Sequence, residues 1–266
     1  MRKNGVVIFC PSIFSLYTLC VSKILIDSDI KISSIIILKL VNKNRLKSEF
    51  QRDGNRLIKK IWKKLFLREK AYRSSENNIV KLKHKLKIKE SNIVQLAKNN
   101  NINISFVNNF NTNNIVDDLK ILKPEVGVFT GGGLIRKKVI ECFGVGIINC
   151  HMGLLPEYRG MDVVEWPILN KEFNQIGLTT HLIDPGVDTG DIIKSKKYNL
   201  NNNINDINII RHQFEPIMCK MITRDTQLLL SKNYNLQKQS YFSGKQYYIM
   251  HKKLKTIAEN FLKEYK

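Results

Sequence analysis

The sequence predicts an α/β fold, in which an open and mostly parallel sheet carries helices on both faces and is followed by a small helical C-terminal extension. Continuous apolar runs rich in β-branched residues, such as Lys31–Leu40, are typical of strands buried on both faces. These runs alternate with segments of helical periodicity, which is the pattern of βαβ units. A chain of 266 residues with 43% hydrophobic residues can bury the core of one large domain.

The chain opens with a predicted βαβ unit, made of strand Val6–Cys10, helix Phe14–Ile26 and strand Lys31–Leu40. The mostly apolar stretch after Met1-Arg2-Lys3-Asn4 also has features of a signal peptide. Pro11 and Ser12 interrupt that stretch and no Ala-x-Ala site follows it, so we favour a strand, turn and helix. We expect no membrane span, because a span needs about 20 uninterrupted apolar residues.

A basic segment follows, at about residues 43–90. It contains 17 Lys or Arg against five Asp or Glu, and its apolar residues from Leu57 to Phe66 have helical spacing. We predict an amphipathic basic helical insertion. Two interpretations remain open for it: an ordinary surface helix with one packed face, or a surface for RNA, an anionic substrate or a membrane.

The α/β pattern resumes at residue 91, where Ser91 is the candidate N-cap of a helix. Helices are predicted at Ser91–Asn100, Asn113–Leu122, Arg136–Phe143, Val163–Leu169, Ile207–Leu230 and Leu254–Tyr265. Strands are predicted at Ile104–Val107, Val126–Thr130, Gly146–Asn149, Leu178–Ile183 and Ile192–Tyr198. We therefore expect an α/β domain over residues 1–205, including the insertion, and a helical extension over residues 206–266.

The charge and the cysteines set wider limits. A net charge of +21 suggests a polyanionic partner, but Lys, Ile and Asn are abundant together and share AT-rich codons, so genome composition explains the excess equally well. The five cysteines are scattered without a CxxC pair, which argues against a zinc knuckle or a disulfide framework. A reducing cytoplasm is the expected compartment.

Three polar residues stand where two predicted strands end. Asn149 and His151 occupy alternate positions at the carboxyl end of one strand, so their side chains can face the same way. Asp188 lies in the acidic, glycine-rich loop after the next strand. An amide can stabilise an oxyanion, an imidazole can take the proton of an attacking amine, and a carboxylate can orient that imidazole. These groups suit the attack of an amine on a carbonyl.

The order of these motifs also carries a family resemblance. Asn149-x-His151 is followed by Leu154-Leu155-Pro156-x-Tyr158-Arg159-Gly160 and then by Gly186-x-Asp188-Thr189-Gly190. This order resembles the folate-dependent formyltransferases, a family that modifies glycinamide ribonucleotide, methionyl-tRNA and nucleotide-sugar amines. The resemblance covers about residues 120–195. It implies a Rossmann-like catalytic domain and 10-formyltetrahydrofolate as the formyl donor.

The resemblance also implies roles for particular residues. Asn149, His151 and Asp188 match the catalytic positions, where Asn149 stabilises the tetrahedral species, His151 manages protons and Asp188 assists it. The folate-binding residues implied are Gly133, Leu134, Ile135 and Arg136 on one side of the pterin pocket and Asp184, Pro185, Gly186 and Val187 on the other. Those implied to shape the site and bind the amine substrate are Leu155, Pro156, Tyr158, Arg159 and Gly160, together with Leu154.

Other conspicuous residues receive different interpretations. Cys150 should point away from the catalytic pair if the strand alternates, so we expect it in the core. His181 is expected to be structural. The glycines at 131–133 do not have the Lys and Ser/Thr of a P-loop and more plausibly let a ligand approach the backbone. No His, Cys or Asp cluster has the spacing of metal ligands, so no metal is expected.

The differences between this sequence and the family's members narrow the choice of acceptor amine. The loop Cys10–Ser15 has no glycine, unlike the phosphate loop of glycinamide ribonucleotide formyltransferases, and the residues after the catalytic segment are too few for the C-terminal barrel of methionyl-tRNA formyltransferases. Met161–Trp166 and Gly244–His251 resemble formyltransferases of surface-polysaccharide pathways. We therefore expect a small amine substrate, a nucleotide-linked amino sugar.

Three alternatives stay open. The chain could be a methionyl-tRNA or glycinamide ribonucleotide formyltransferase, a formyltetrahydrofolate hydrolase, or an RNA-binding protein. The hydrolase usually carries an N-terminal regulatory domain, which we do not expect here. RNA binding alone leaves Asn149, His151 and Asp188 unexplained, so a nucleic-acid partner is not favoured. A homodimer is compatible with the sequence.

Overall fold

A computed structural model describes residues 5–39, 78–201, 204–240 and 243–265. Seven strands form one sheet, and their spatial order is β3 (Asn103–Val107), β2 (Ile32–Leu38), β1 (Val6–Cys10), β4 (Val126–Phe129), β5 (Gly146–His151), β7 (Gly177–Leu182) and β8 (Ile192–Lys197); β6 (Tyr158–Gly160) lies in a second, smaller sheet. Strands β1 to β5 are mutually parallel, β7 is antiparallel to β5, and β8 is antiparallel to β7. The predicted open and mostly parallel α/β sheet is therefore confirmed.

The strands of this sheet alternate with helices along the chain. The strands are β1 Val6–Cys10, β2 Ile32–Leu38, β3 Asn103–Val107, β4 Val126–Phe129, β5 Gly146–His151, β7 Gly177–Leu182 and β8 Ile192–Lys197. The helices are α1 Leu16–Asp27, α2 Ile79–Lys85, α3 Ile93–Asn99, α4 Asn113–Leu122, α5 Lys137–Ile140, α6 Glu165–Leu169, α7 Ile207–Leu230 and α8 Lys252–Glu264. A 3₁₀ turn at Phe173–Gln175 precedes β7.

Alternating side chains of the strands build two cores, one on each face of the sheet. In β1, Val6 and Ile8 pack on the face covered by α1, α3 and α7, whereas Val7 and Phe9 pack on the face covered by α4 and α5. The strands are thus apolar on both sides, as a sheet between two helical layers requires. This arrangement leaves the carboxyl ends of β1, β4 and β5 together at one edge.

Helix boundaries follow local capping rather than the apolar pattern alone. Ser15 caps α1 by accepting a hydrogen bond from the Thr18 N–H, so the helix begins later than predicted. The prediction that Ser91 caps the next helix is wrong, because the Asn92 side chain accepts from the Gln95 N–H and α3 begins at Ile93. Helices Asn113–Leu122 and Ile207–Leu230 have the predicted bounds.

The C-terminal part of the chain is tied to the α/β core. Helix α7 contributes Phe214, Cys219 and Ile222 to the core beneath β4, β5 and β7. The extension also contains a strand that the sequence did not indicate: β9, Lys245–Tyr247, pairs in parallel with β6, Tyr158–Gly160. This two-stranded sheet lies next to the site described below.

The predicted insertion at about residues 43–90 lies largely outside the described residues, and helix α2 is the part of it that is described. Among the described helices, none is both long enough and apolar enough to cross a bilayer. Within the same ranges, no group of three or more His, Cys, Asp or Glu side chains is arranged to hold a metal ion.

Candidate active site

The site lies at the carboxyl end of β5, at the edge of the sheet where open α/β folds bind their ligands. Asn149 and His151 are on one face of β5, and Cys150 points to the opposite face and is buried in the core. Strand β7 runs antiparallel to β5 with His181 directly opposite Asn149. Residues opposite each other in an antiparallel pair share a face, so His181 joins the catalytic pair.

Four side chains form a continuous polar chain at this edge. Asn149 Nδ2 is 3.2 Å from His181 Nε2, and His181 Nε2 is 3.5 Å from Asp188 Oδ1. The other carboxylate oxygen, Asp188 Oδ2, is 3.5 Å from His151 Nδ1. The three residues predicted from the motifs therefore do converge, and His181 connects two of them.

The hydrogen bonds of His151 define its tautomer. Its Nε2 is 2.9 Å from the carbonyl oxygen of Tyr158, which can only accept, so Nε2 carries the hydrogen. In the neutral ring, Nδ1 then presents its lone pair towards Asp188. A proton that arrives at Nδ1 would be held between the imidazole and the carboxylate, so this pair can store the proton of an attacking amine.

His181 is fixed in the complementary way. Its Nδ1 is 2.8 Å from the Leu182 carbonyl oxygen, so Nδ1 carries the hydrogen. When the ring is protonated, Nε2 also carries a hydrogen and can donate towards Asp188 Oδ1. In the neutral ring, Nε2 accepts from the Asn149 amide. This contact uses one of the two N–H groups on Asn149 Nδ2. The second N–H is held in a defined direction and can be offered to an oxygen that gains negative charge.

Burial and charge set the protonation states. Burial lowers the pKa of His151, and the Asp188 carboxylate offsets only part of this effect, so the ring is mainly neutral near pH 7 and can accept a proton. Burial raises the pKa of Asp188, but its contacts with His181, His151 and the Gly160 N–H outweigh burial and bring that pKa to about 2. A neutral base thus lies beside a permanent negative charge.

Tight loops hold these side chains in place. A Cβ on Gly153 would lie 2.9 Å from His151 Nε2 and 2.8 Å from the Tyr158 carbonyl oxygen, so only glycine permits the hydrogen bond between them. Asp188 has a left-handed backbone, with φ of 54°, and its Oδ2 accepts from the Gly160 N–H at 3.0 Å. The two motif loops therefore meet at the carboxylate.

The predicted folate segments lie in exposed loops at the same edge of the sheet. Gly131, Gly132 and Gly133 all have positive φ, and Gly133 has open space where a side chain would be. The Asn111 Oδ1 accepts a hydrogen bond from the Arg136 N–H at 2.7 Å, and its Nδ2 donates to the Leu134 carbonyl oxygen at 2.9 Å. These two bonds orient the backbone of the segment. Leu134 is 51% exposed, whereas Ile135 is buried.

The second predicted folate segment belongs to the loop at 184–188. Asp184 accepts hydrogen bonds from the Gly186 N–H and the Thr189 hydroxyl, so its carboxylate shapes the loop itself. Pro185 and Gly186 are exposed, and Val187 is half-buried. An exposed backbone between apolar side chains fits a flat heteroaromatic ring that needs both hydrogen bonds and apolar contact.

The predicted substrate residues divide into two groups. Leu155 and Pro156 form a cis peptide beside β7, where the Thr179 hydroxyl accepts from the Leu155 N–H. The side chains of Tyr158 and Arg159 are buried against protein groups: the Tyr158 hydroxyl bonds Glu172 and the Arg159 guanidinium bonds Gln239. Tyr158 contacts a catalytic side chain through its backbone carbonyl, which bonds His151 Nε2.

Two features of the site are missing from the sequence-based prediction. His181 was expected to be structural, yet it contacts both Asn149 and Asp188. The signal available in the sequence was its position, two residues after Thr179 on a predicted strand that ends at the acidic loop. Gln239 in the C-terminal segment contacts the loop of Asp188, and no motif marked it.

Comparison with known proteins agrees with this geometry. Residues 70–211, more than half of the chain, match the family described as formyl transferase. The chain therefore belongs to the formyl transferase family, and the match includes Asn149, His151, His181 and Asp188.

The similar proteins differ in their acceptors. A methionyl-tRNA formyltransferase of Clostridioides difficile (strain 630) is 37% identical over 119 residues, which is 44% of this chain and 38% of that protein. The chain thus matches well under half the length of that relative.

Two solved structures share the fold. An N-formyltransferase from Helicobacter canadensis, in complex with folinic acid and dTDP-3-aminofucose, superposes with a TM-score of 0.58 at 16% identity, over 99% of this chain and 81% of that one. A phosphoribosylglycinamide formyltransferase from Bacillus halodurans gives 0.57 at 17% identity, over 89% and 100%. At such identities the comparison establishes the fold.

Proposed function

We propose that this protein transfers a formyl group from 10-formyltetrahydrofolate to a primary amine. The observation that carries the proposal is the polar chain from Asn149 through His181 and Asp188 to His151, with separations of 3.2–3.5 Å. It combines an oriented amide donor with a neutral base and a carboxylate. Membership in the formyl transferase family supports the same chemistry.

Each residue would have a distinct task. The bound folate would supply an activated formyl group, and the loops at 133–136 and 184–187 would hold it. Asn149 would donate its second N–H to the oxygen that gains charge. His151 would take the amine proton on Nδ1, where Asp188 stabilises the imidazolium, and would return it to the departing nitrogen.

For the acceptor we propose the amine of a nucleotide-linked sugar. One of the similar solved structures, which covers 99% of this chain, is an N-formyltransferase in complex with dTDP-3-aminofucose. In addition, the segments Met161–Trp166 and Gly244–His251 resemble formyltransferases of surface-polysaccharide pathways. Leu155, Pro156 and Gly160 would line the acceptor side. Tyr158 would act through its backbone carbonyl on His151, and the buried Arg159 side chain would hold Gln239.

Methionyl-tRNA is the second candidate acceptor, and a specific observation favours it. The 37% identity over 119 residues is to a methionyl-tRNA formyltransferase and is much higher than the identity to any solved structure named above. The net charge of +21 would suit a nucleic acid. The two candidates differ in size and charge, so one assay separates them.

The test is the release of tetrahydrofolate from 10-formyltetrahydrofolate in the presence of different amines. The panel contains dTDP- and UDP-linked amino sugars, glycinamide ribonucleotide, methionyl-tRNA and a sample without acceptor, with Asn149→Ala as the inactive control. Turnover with an amino sugar supports the proposal, and turnover with methionyl-tRNA supports the second candidate. Release without acceptor would indicate the hydrolase, and no release with any sample would contradict formyl transfer.

A further inference from the structure

Described residues between α7 and α8 form hydrogen bonds with the two motif loops of the site, at residues 153–160 and 184–190. Gln237 forms two backbone hydrogen bonds with Ile192, each 2.8 Å long, directly after the loop that contains Asp188. Farther along, β9 pairs with β6, and Tyr247 stacks on Tyr158 with ring centroids 4.9 Å apart. We call the described residues 237–240 and 243–250 the strap.

One side chain of the strap contacts the backbone of the catalytic loop. Gln239 Nε2 donates to the carbonyl oxygens of Asp188 at 3.1 Å and of Gly190 at 2.6 Å. Its Oε1 accepts from the Arg159 guanidinium at 3.2 and 3.0 Å, and that guanidinium also donates to the Ser240 carbonyl. One amide therefore joins β6 to the Asp188 loop.

The loop needs an external restraint at this point. Asp188 has a left-handed backbone, which residues other than glycine adopt infrequently. Its carboxylate oxygens lie 3.5 Å from a ring nitrogen of His151 and of His181, and one of them accepts from the Gly160 N–H. A small shift of the backbone therefore changes all three distances. The Gln239 amide holds the carbonyl of the same residue and so limits that shift.

The strap is anchored independently of Gln239. Asp162 accepts from the Met250 N–H at 2.9 Å and pairs with Lys255 at 2.8 Å. Buried Glu165 pairs with Arg211 and Lys255, and the Trp166 indole donates to the Tyr248 carbonyl. These contacts keep the far end of the strap in place when the Gln239 side chain is altered.

We propose that Gln239 is a positioning residue for Asp188, through which the C-terminal strap completes the active site. This inference rests on the proposed function for its kinetic part only. Gln239 contacts the backbone of Asp188 and not its carboxylate, so it acts on the reaction through another residue.

The test compares Gln239→Met with Gln237→Met. Methionine keeps the shape of glutamine and removes its hydrogen bonds, and the exposed Gln237 holds the strap through its backbone alone. We expect Gln239→Met to lower kcat roughly 10- to 100-fold with an unchanged KM for the amine, because small misplacements of catalytic groups have such effects. Gln237→Met should retain wild-type kinetics.

A second readout does not depend on turnover. The pKa of the His151 imidazole, followed by NMR, should fall in Gln239→Met because the carboxylate that stabilises its charged form is less firmly held. His181 and Asp188 are the titratable groups that face His151, and both remain in the variant. A wild type that turns over no amine would contradict the proposed function and leave this readout intact.

A further variant covers the case in which Gln239→Met does not fold. Gln239→Glu retains an acceptor for Arg159 and replaces the donor with an oxygen that repels both loop carbonyls, so it should show the same loss of kcat. Unchanged kcat and an unchanged His151 titration in a folded variant would overturn the inference. An equal loss in Gln237→Met would also overturn it, because the effect would then belong to the strap as a whole.

Discussion

The two imidazoles of the site are held in opposite roles by the backbone. His151 donates from Nε2 to the Tyr158 carbonyl, whereas His181 donates from Nδ1 to the Leu182 carbonyl. In the neutral site, His151 therefore offers its lone pair near Asp188 and His181 offers its lone pair to Asn149. One histidine is placed to accept a proton, and the other is placed to orient an amide.

His181 is therefore expected to matter for rate as well as for stability. His181→Leu removes the acceptor of the Asn149 amide and should lower kcat about 10- to 100-fold, less than the loss of an oxyanion donor itself. His181→Gln places an oxygen near the former Nε2 and should retain most of the activity. Steady-state kinetics with thermal denaturation of each variant distinguishes the roles: equal losses in both variants that track stability would indicate packing alone.

The pH dependence of the reaction should report on His151. The rate requires the neutral ring, so it is lost as pH falls through the pKa of His151, which burial places below 6.5. Asp188 titrates near pH 2 and stays ionised over that range. We therefore expect the acid limb of kcat/KM below pH 6.5.

Asp188→Asn provides the control for this assignment. Replacing the carboxylate removes the charge that raises the pKa of His151, so the acid limb should move to lower pH while the rate falls. The acceptor amine titrates at the same pH with both proteins, so the displacement between the two profiles belongs to the enzyme. An acid limb that moves to higher pH in Asp188→Asn would contradict the assignment of His151 as the base.

At the scale of elements, the long strands and helices were predictable from local patterns. Local apolar patterns define β1, α4 and α7, and tertiary contacts change the bounds of these elements little. The pairing of β6 with β9 was not predictable, because each has three residues and they are joined across a large sequence separation. The direction of β7, and with it the position of His181, also depends on tertiary pairing.

The β6–β9 sheet makes a testable demand on Gly160. This residue has φ of 95°, and a Cβ on it would lie 2.2 Å from the Tyr247 carbonyl oxygen. Gly160→Ala should cost about 1–3 kcal/mol from overlap, beyond the backbone strain, and should loosen the strap. Gly133→Ala is the matched control for chemical denaturation, because Gly133 has a similar φ of 108° and no atom within 4 Å of its Cβ position.

The difference between these variants isolates the contact with the strap. Both pay the strain of a left-handed alanine, and only Gly160→Ala also pushes against β9. If the two lose the same free energy of unfolding, the sheet of β6 and β9 contributes nothing in solution, and the positioning role of Gln239 loses its support as well.

At the scale of the whole molecule, the basic residues are unevenly distributed along the sequence. The segment at about 43–90 contains 17 of the 44 Lys and Arg residues. Within the described ranges, Lys194, Lys196 and Lys197 are exposed on β8, an edge strand of the sheet. Lysines on an edge strand discourage pairing with other chains, so they need no anionic partner.

Salt dependence should separate a general polyanion affinity from recognition at the active site. A protein with this charge is expected to hold a short unstructured RNA at about 50 mM salt and to release it by about 200 mM, because binding that neutralises many phosphates weakens roughly 10³-fold or more over that range. A nucleotide-linked sugar carries only two phosphates, so the KM for such an amine should change far less. At physiological salt, the RNA should leave turnover of the small amine unaffected. RNA that remains bound at 200 mM and competes with the amine would instead place a nucleic acid in the acceptor site and favour methionyl-tRNA as the substrate.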